Sequence, residues 1–436
     1  MIRRLFGRRA PRCIVIGLDG VAASAFGAWA EDVTPFIRGL GKAGTVARIR
    51  SPLPPLSAVA WASFATASNP GRHGVFGFTL PDSEYQVTFA SSQSLRVPTL
   101  WDRAAIDGLR SVVVNLPGTY PAQPMNGALV AGFVAPGLAR ACHPPELADR
   151  LAAGGYRLDV DVRLADRDEA AFCAEVEGAV GARIEAMRWM LEEEEWALAI
   201  LAFTEPDRLL HARNPSPDDG TMAGTTYRRV LGRVDAFARE LAERHPDATL
   251  LVVSDHGFAP LERYFNLNAW LRERGHLVAD EVEAIDSRTM AFALDAGRVY
   301  VNTEGRFSRG SVPADAARST SESLAGELID ARAPDGSRPI AAVVHRREAY
   351  TGPLTQTGPN LICLPAAGWE LNASMRLPIA SAADRLRGRH TDDDALLVTS
   401  RPISRPADGV ALHDVGATVL AAIGVHADDI DGRALL

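Results

Sequence analysis

Three apolar, strand-like runs in this sequence each lead into an aspartate. The runs and their aspartates are Cys13–Leu18 with Asp19, Leu198–Phe203 with Asp207, and Leu250–Ser254 with Asp255. In an open α/β sheet, ligands bind in the crevice outside the carboxyl ends of the strands, where residues distant in sequence come together. The three runs therefore predict an α/β fold with several carboxylates at one edge of its sheet.

The order of the apolar runs predicts how the 436 residues are organised. Strand and helix patterns alternate over residues 12–79 and 195–262 and resume over 385–436, which is typical of a three-layer α/β/α sandwich around a mainly parallel sheet. The segments 80–194 and 263–384 are less regular. We expect them to be cap segments inserted into a single catalytic domain.

The composition argues against two kinds of partner. Hydrophobic residues make up 47% of the chain and charged residues 23%, and no apolar run approaches the roughly 20 residues that cross a bilayer, so we expect no stable membrane insertion. The net charge of -8 provides no large basic field, which argues against a nucleic-acid partner.

The cysteines and the amino terminus bear on the cellular compartment. No Cys-x-x-Cys pair occurs, and the cysteines are widely spaced: Cys13, Cys142, Cys173 and Cys363. We interpret them as buried thiols in a reducing environment, which predicts a cytoplasmic protein. The arginine-rich residues 3–9 precede an apolar run that is too short for a signal peptide, so we interpret them as a solvated tail.

Three histidines accompany the three aspartates. Asp207 and His211 are four residues apart, on one face of a predicted helix, His256 follows Asp255 directly, and His390 stands alone. Each signal is weak by itself, since an aspartate four residues from a histidine arises by chance about once in such a chain. Together the six side chains are enough to give two metal ions three protein ligands each and open positions for catalysis.

The expected charge of this site indicates its substrate. Two divalent ions carry four positive charges and three carboxylates remove three, which leaves about +1. A crevice of that charge favours a phosphate or sulfate oxyanion.

Ser57 allows two interpretations. It follows Pro54-Pro55-Leu56 and begins the helical pattern 57–67, so its hydroxyl either caps the helix or acts as a nucleophile. A helix amino terminus also favours an incoming phosphoryl oxygen, because its N–H groups and its dipole point at the ligand. Ser63, almost two turns further on, is better explained by packing.

The ordered motifs together resemble the alkaline phosphatase superfamily, most closely its type I phosphodiesterase/nucleotide pyrophosphatase branch. The motifs are Asp19-Gly20, Pro55-Leu56-Ser57, Asn69-Pro70-Gly71-Arg72-His73-Gly74-Val75, Glu205-Pro206-Asp207 with His211, Ser254-Asp255-His256-Gly257-Phe258 and Gly388-Arg389-His390. The resemblance spans nearly the whole chain.

The resemblance implies roles for these residues. It implies one metal ion beside Ser57, held by Asp19, Asp255 and His256, and a second ion held by Asp207, His211 and His390. Zinc is the implied metal at both positions, with manganese as an alternative. It further implies that the serine attacks phosphorus and forms a phosphoserine intermediate during hydrolysis of a small phosphate ester.

Other functions stay open. Nucleotide pyrophosphatases usually have a threonine where this chain has Ser57, so nucleotide specificity is not implied, and the sulfatase signature is absent. A phosphomonoesterase, or a phosphomutase or phosphotransferase, would use the same site. A non-catalytic binding protein would show decay of the ligands, and none is seen. We expect a phosphodiester substrate, because no extra cation near the ligands is evident to bind a dianionic monoester.

Overall fold

The computed structural model describes residues 11–404 and 409–436. The predicted solvated tail, residues 3–9, lies outside the described residues. All four cysteines are buried and unpaired, while the cytoplasmic location stays a prediction. Within the described ranges, no helix combines the length and the apolar character needed to span a membrane.

The described residues form eighteen strands. They are β1 (Cys13–Leu18), β2 (Thr45–Ile49), β3 (Thr79–Pro81), β4 (Val87–Phe89), β5 (Ser111–Leu116), β6 (Gly127–Ala131), β7 (Cys142–His143), β8 (Leu198–Phe203), β9 (Thr249–Val253), β10 (Gly257–Asn266), β11 (Ala291–Leu294), β12 (Arg298–Val301), β13 (Ile340–His345), β14 (Leu361–Pro365), β15 (Gly368–Asn372), β16 (Ala380–Ala382), β17 (Gly388–Thr391) and β18 (Ala395–Thr399).

The same residues form fourteen α-helices. They are α1 (Ala23–Val33), α2 (Pro35–Ala43), α3 (Ser57–Thr66), α4 (Pro70–His73), α5 (Leu100–Ile106), α6 (Leu147–Ala153), α7 (Leu164–Arg167), α8 (Glu169–Glu193), α9 (Glu205–Arg213), α10 (Met222–Arg244), α11 (Leu267–Glu273), α12 (Ala317–Ile329), α13 (Arg346–Ala349) and α14 (Leu412–Ala422).

An eight-stranded sheet forms the centre of the described structure, in the order β2-β18-β9-β1-β8-β5-β6-β7. Strand β1 pairs in parallel with β8 and β9, and β5 pairs in parallel with β6 and β8. Strands β18 and β7 run in the direction opposite to that of the other six strands of this sheet. The carboxyl ends of β1, β8 and β9 therefore meet at one edge.

Helices cover both faces of this sheet, because alternate side chains of its strands point to opposite sides. In β1, Ile14 and Ile16 join the core formed with α1, α2, α8 and α10, whereas Cys13 and Val15 join the core formed with α3, α5 and α14. Every residue of β1 is buried. This confirms the predicted three-layer α/β/α sandwich around a mainly parallel sheet.

The prediction of a cap over residues 80–194 is wrong for much of that segment. Strands β5, β6 and β7 belong to the central sheet, and α8 packs on one of its faces. The apolar runs of β5 and β6 are evident in the sequence, but the irregular connections around them do not indicate which sheet they join. The loops of this segment, in contrast, reach the carboxyl edge of the sheet, as the contacts of Asp159 below show.

Residues 263–384 build a second unit. Strands β11-β12-β14-β13 form a separate antiparallel sheet, and a hydrophobic core of its own packs around Phe292, Tyr300 and Leu324. Strand β10 connects this unit to the central sheet and pairs with β15, β16 and β17.

Candidate metal centre and nucleophile

Five of the six predicted ligands follow strands of the central sheet at its carboxyl edge. Asp19 comes directly after β1, and Asp255 with His256 follows β9. Asp207 lies in the first turn of α9, after β8, and His211 lies one turn further along the same helix. The parallel order of β9, β1 and β8 thus brings the three aspartates together.

The sixth ligand, His390, reaches the site through strand pairing. Strand β10 starts directly after His256 and pairs antiparallel with β17, which places Phe258 opposite His390. The Phe258 ring centroid lies 5.1 Å from that of His390 and 4.8 Å from that of His211. The phenyl ring therefore packs among the imidazoles and holds β17 at the site.

The side chains form two groups of three, each with its ligand atoms within 4.8 Å of one another. In the first group, His256 Nε2 lies 3.6 Å from Asp19 Oδ1 and 3.2 Å from Asp255 Oδ2. All three side chains are buried, and Asp255 Oδ2 has no hydrogen-bond partner among the described residues. A buried carboxylate oxygen without a partner is costly unless a cation satisfies it.

The second group consists of Asp207, His211 and His390. His390 Nε2 lies 3.2 Å from Asp207 Oδ1 and 2.8 Å from His211 Nε2. The distance from His211 Nε2 to the same carboxylate oxygen is 3.5 Å.

The tautomers of the three imidazoles follow from their backbone contacts. In each ring Nδ1 faces a carbonyl oxygen, and the pairs are His211 with Gly388 at 3.0 Å, His390 with Pro55 at 2.8 Å and His256 with Gly257 at 3.2 Å. A carbonyl oxygen only accepts, so Nδ1–H donates and Nε2 presents a lone pair to the crevice. Burial also lowers the pKa of His211 to about 4, which keeps that ring neutral.

These lone pairs fit a metal ion. Two Nε2 acceptors 2.8 Å apart repel each other unless a cation lies between them and the carboxylate. Nitrogen and carboxylate ligands in sets of three suit zinc in a catalytic site, where one position stays open for water or substrate.

The electrostatics of the carboxylates lead to the same conclusion. Burial raises the pKa of Asp255 to about 7 and that of Asp19 well above its usual range, and the charge of Asp207 adds to both effects. Burial opposes ionisation of Asp207 too, but Arg208, which donates to its Oδ2, lowers its pKa. Bound divalent cations would offset the repulsion among the three carboxylates.

Ser57 is the first residue of α3. The helix is capped at Leu56 without a side-chain hydrogen bond, and the Ser57 hydroxyl instead lies 3.4 Å from Asp19 Oδ1 and 3.1 Å from His256 Nε2. Of the two interpretations of this serine, the geometry argues against capping. Its hydroxyl lies beside the first ligand group, at the positive end of the helix dipole.

Ser63 and His73 form a separate structural network. The Ser63 hydroxyl donates to the Val59 carbonyl at 2.9 Å, and His73 Nδ1 accepts from the Val75 N–H at 3.1 Å. His73 Nε2 therefore carries the proton and donates to Ser63 Oγ at 2.9 Å. Burial lowers the pKa of His73 to about 3, so the pair stays neutral and stabilises the turn after α3.

Two interactions that support the ligands were not predicted. The indole N–H of Trp61 donates to Asp19 Oδ2 at 3.1 Å. Arg208 donates to Asp207 Oδ2 at 2.9 Å and twice to Asp159, at 2.8 Å each. The supporting role of Trp61 could have been predicted, because Trp61 lies one helical turn after Ser57. The contact of Asp159 could not, because Asp159 lies in an irregular loop far from Arg208 in sequence.

Gly20 holds the first group in place through its backbone. Its N–H donates to Asp255 Oδ1 at 3.1 Å, and its φ of +76° lies in the left-handed region. A Cβ at this position would also lie 2.8 Å from the Phe258 ring, so only glycine fits.

A sequence model of the type I phosphodiesterase/nucleotide pyrophosphatase family matches residues 13–391, a range that includes all six ligands and the serine. The chain belongs to this family. It is thus a member of a family of phosphoester hydrolases and has the two ligand groups described above. A comparison with curated protein sequences gives no match.

Solved structures of other proteins share the fold. Phosphonoacetate hydrolase from Sinorhizobium meliloti 1021, in complex with phosphonoacetate, is 19% identical with a TM-score of 0.63, over 96% of this chain and 98% of that one. Murine ectonucleotide pyrophosphatase/phosphodiesterase 5 is 14% identical with a TM-score of 0.57, over 97% of each chain.

The Trp61 contact predicts a specific loss in this family member. Trp61→Phe removes the hydrogen bond that orients Asp19, and we expect roughly 10- to 100-fold weaker zinc binding, measured by chelator competition. Trp196→Phe is the matched control, because Trp196 is also buried but donates its indole N–H to the Leu191 carbonyl, away from the ligands. Equal zinc affinities for the two variants would contradict the assignment.

Removal of one ligand tests the division into two groups. His390→Ala should lower the metal content from two ions per chain to one, because each group supplies only three side chains, and elemental analysis measures this directly. His276→Ala serves as the control, since His276 pairs with Glu327 in the second unit. Loss of both ions, or of neither, would show that the groups are not independent sites.

Proposed function

We propose that this chain is a two-metal phosphodiesterase that acts through a phosphoserine intermediate on Ser57. The observation that carries the proposal is the position of the Ser57 hydroxyl, 3.1 Å from His256 Nε2 and 3.4 Å from Asp19 Oδ1. Among the described residues, no other hydroxyl forms hydrogen-bond contacts with two of the six ligands.

The proposed metal ions are zinc, with manganese as an alternative. Asp19, Asp255 and His256 would hold one ion and Asp207, His211 and His390 the other. When bound, such ions act as Lewis acids that stabilise oxyanions and lower the pKa of hydroxyl groups and water.

Ser57 supplies the nucleophile in this proposal. Its oxygen forms a bond to phosphorus, the bond to the leaving alcohol breaks, and the serine proton ends on that alcohol. Water then attacks the phosphoserine, which releases a phosphate monoester and restores the hydroxyl. At the start of α3, Val59 and Ala60 donate their N–H groups to the Leu56 carbonyl, which leaves the N–H groups of Ser57 and Ala58 to stabilise the phosphoryl oxygens.

The charges around the site support a diester over a monoester. Arg208 directly follows the ligand Asp207, and Asp159 and Asp207 already engage it. Two arginines of the second unit have partners elsewhere: Arg263 pairs with Asp335, and Arg346 donates to the Gln356 carbonyl. Arg389, next to His390, donates to the His390 carbonyl at 3.2 Å, and its Nε has no hydrogen-bond partner among the described residues. The first three arginines thus offer no unengaged guanidinium to the second anionic oxygen of a monoester.

Replacing the nucleophile tests the proposed mechanism. Ser57→Ala should lower turnover by several orders of magnitude, because the covalent route is lost, while metal content and folding stay near wild type. Ser63→Ala is the matched control, since that hydroxyl bonds only within α3 and to His73 and its loss affects stability rather than turnover. The proposal fails if Ser57→Ala keeps wild-type turnover.

The charge argument predicts substrate preference. We expect kcat/KM for bis-p-nitrophenyl phosphate to exceed that for p-nitrophenyl phosphate by at least about tenfold, equivalent to about 1.4 kcal/mol. Parallel kinetics with zinc-loaded protein measure both values. A clear monoester preference would instead assign the chain a phosphatase or phosphomutase reaction.

A further inference from the structure

A buried ion pair connects α8 with the helix that carries Asp207. Arg183, within α8, donates through Nε and Nη2 to Glu205 Oε1, at 2.9 and 2.7 Å. Both side chains are only 1% exposed. Glu205 is the first residue of α9 and lies two residues before the ligand Asp207. Arg183 therefore fixes the start of the helix from which this ligand extends.

Stability alone does not explain the ion pair. Two charges lose their hydration when they are buried together, and an apolar pair of similar volume is often at least as stable. The other carboxylate oxygen, Glu205 Oε2, is buried without a hydrogen-bond partner among the described residues, which adds to the cost. Such a pair is better explained by the geometry that it enforces than by the stability that it adds.

The same arginine also holds the loop between α6 and α7. Its Nη1 donates to the Tyr156 hydroxyl at 2.6 Å, and its Nη2 donates to the Arg157 carbonyl at 3.2 Å. Its Cζ atom lies 5.0 Å from the centroid of the Tyr156 ring. Two residues further along this loop is Asp159, which accepts two hydrogen bonds from Arg208, at 2.8 Å each.

These contacts form a closed circuit that includes Asp207. One path follows the chain from Glu205 to Asp207. The other path follows the loop to Asp159 and then Arg208, which donates to Asp207 Oδ2 at 2.9 Å. Oδ1 of the same carboxylate faces the two imidazoles of its ligand group. Both paths start at Arg183, so one buried side chain fixes the backbone position and the carboxylate orientation of this ligand.

We propose that Arg183, through its pair with Glu205, is a positioning residue that sets the zinc affinity of the second ligand group and leaves that of the first group unchanged. The inference rests on the proposed two-metal site and adds a determinant of its second position. The guanidinium of Arg183 donates to Glu205 and to the loop between α6 and α7, and both lead to Asp207. Without these contacts the carboxylate would have to be ordered when the ion binds, which lowers affinity.

A double variant tests the proposal without leaving an unpaired buried charge. Arg183→Met with Glu205→Gln removes both charges at similar volume, whereas removal of the arginine alone would leave the carboxylate unpaired and destabilise the fold. Zinc titration against a chelator should show one of the two ions bound about 10- to 100-fold more weakly than in the wild type, and the other unchanged. Arg188→Met with Glu240→Gln is the matched control, since Arg188 lies on the same helix but pairs with α10. It should keep both affinities.

The His390→Ala background shows which ion is weakened. That variant is expected to keep only the ion of the first group, and adding the double substitution to it should not change the affinity for this remaining ion. A purely structural role of the pair would instead lower the affinities for both ions equally, or lower thermal stability alone. Either result would overturn the proposal but leave the two-metal site intact. A wild type that binds no zinc would overturn both.

Arg183→Lys tests the path through the loop. Lysine keeps a positive charge for Glu205, but it lacks the planar fork that also reaches the Tyr156 hydroxyl and the Arg157 carbonyl. We expect at least about threefold weaker binding of the second ion, a smaller loss than in the double variant. Wild-type affinity in Arg183→Lys would contradict the path through the loop.

Discussion

Repulsion among three buried carboxylates is the constraint on which the rest of this site depends. Asp19, Asp207 and Asp255 lie at the ends of adjacent parallel strands, where burial alone disfavours their charges. Cations are the simplest means of stabilising such a cluster, because Coulombic attraction in a buried site is screened less than in water. The fold brings the three aspartates together, and the proposed metal ions would balance their negative charges.

The surrounding structure holds the ligand atoms in orientations that suit metal binding. Backbone carbonyls fix the imidazole tautomers, and the one that holds His390 belongs to Pro55, two residues before Ser57. The loop that carries the nucleophile is thus bonded to a ligand of the second group. Trp61 links α3, the helix that follows this loop, to Asp19 of the first group, so the loop and the helix together contact both ligand groups. Such supporting contacts commonly determine metal affinity as strongly as ligand geometry does.

Much of this arrangement was predictable from sequence, for physical reasons. Apolar runs that end in aspartates specify buried parallel strands, and the edge where Asp19, Asp207 and Asp255 meet follows from strand direction. His390 was harder to place by spacing, because pairing of β10 with β17 brings it to the site. Asp159 gave no signal, since a loop positions it and loop geometry has no periodicity. Apolar runs within residues 80–194 indicate strands, but sequence does not show that β5 pairs with β8 of the central sheet, which is why the segment was assigned to a cap.

The most direct test of this account is anomalous X-ray diffraction, measured at the zinc absorption edge from crystals of the zinc-loaded protein. The account predicts two anomalous peaks, one among Asp19, Asp255 and His256 and the other among Asp207, His211 and His390, with Ser57 Oγ next to the first. A single peak, or peaks away from these six side chains, would contradict the two-metal centre.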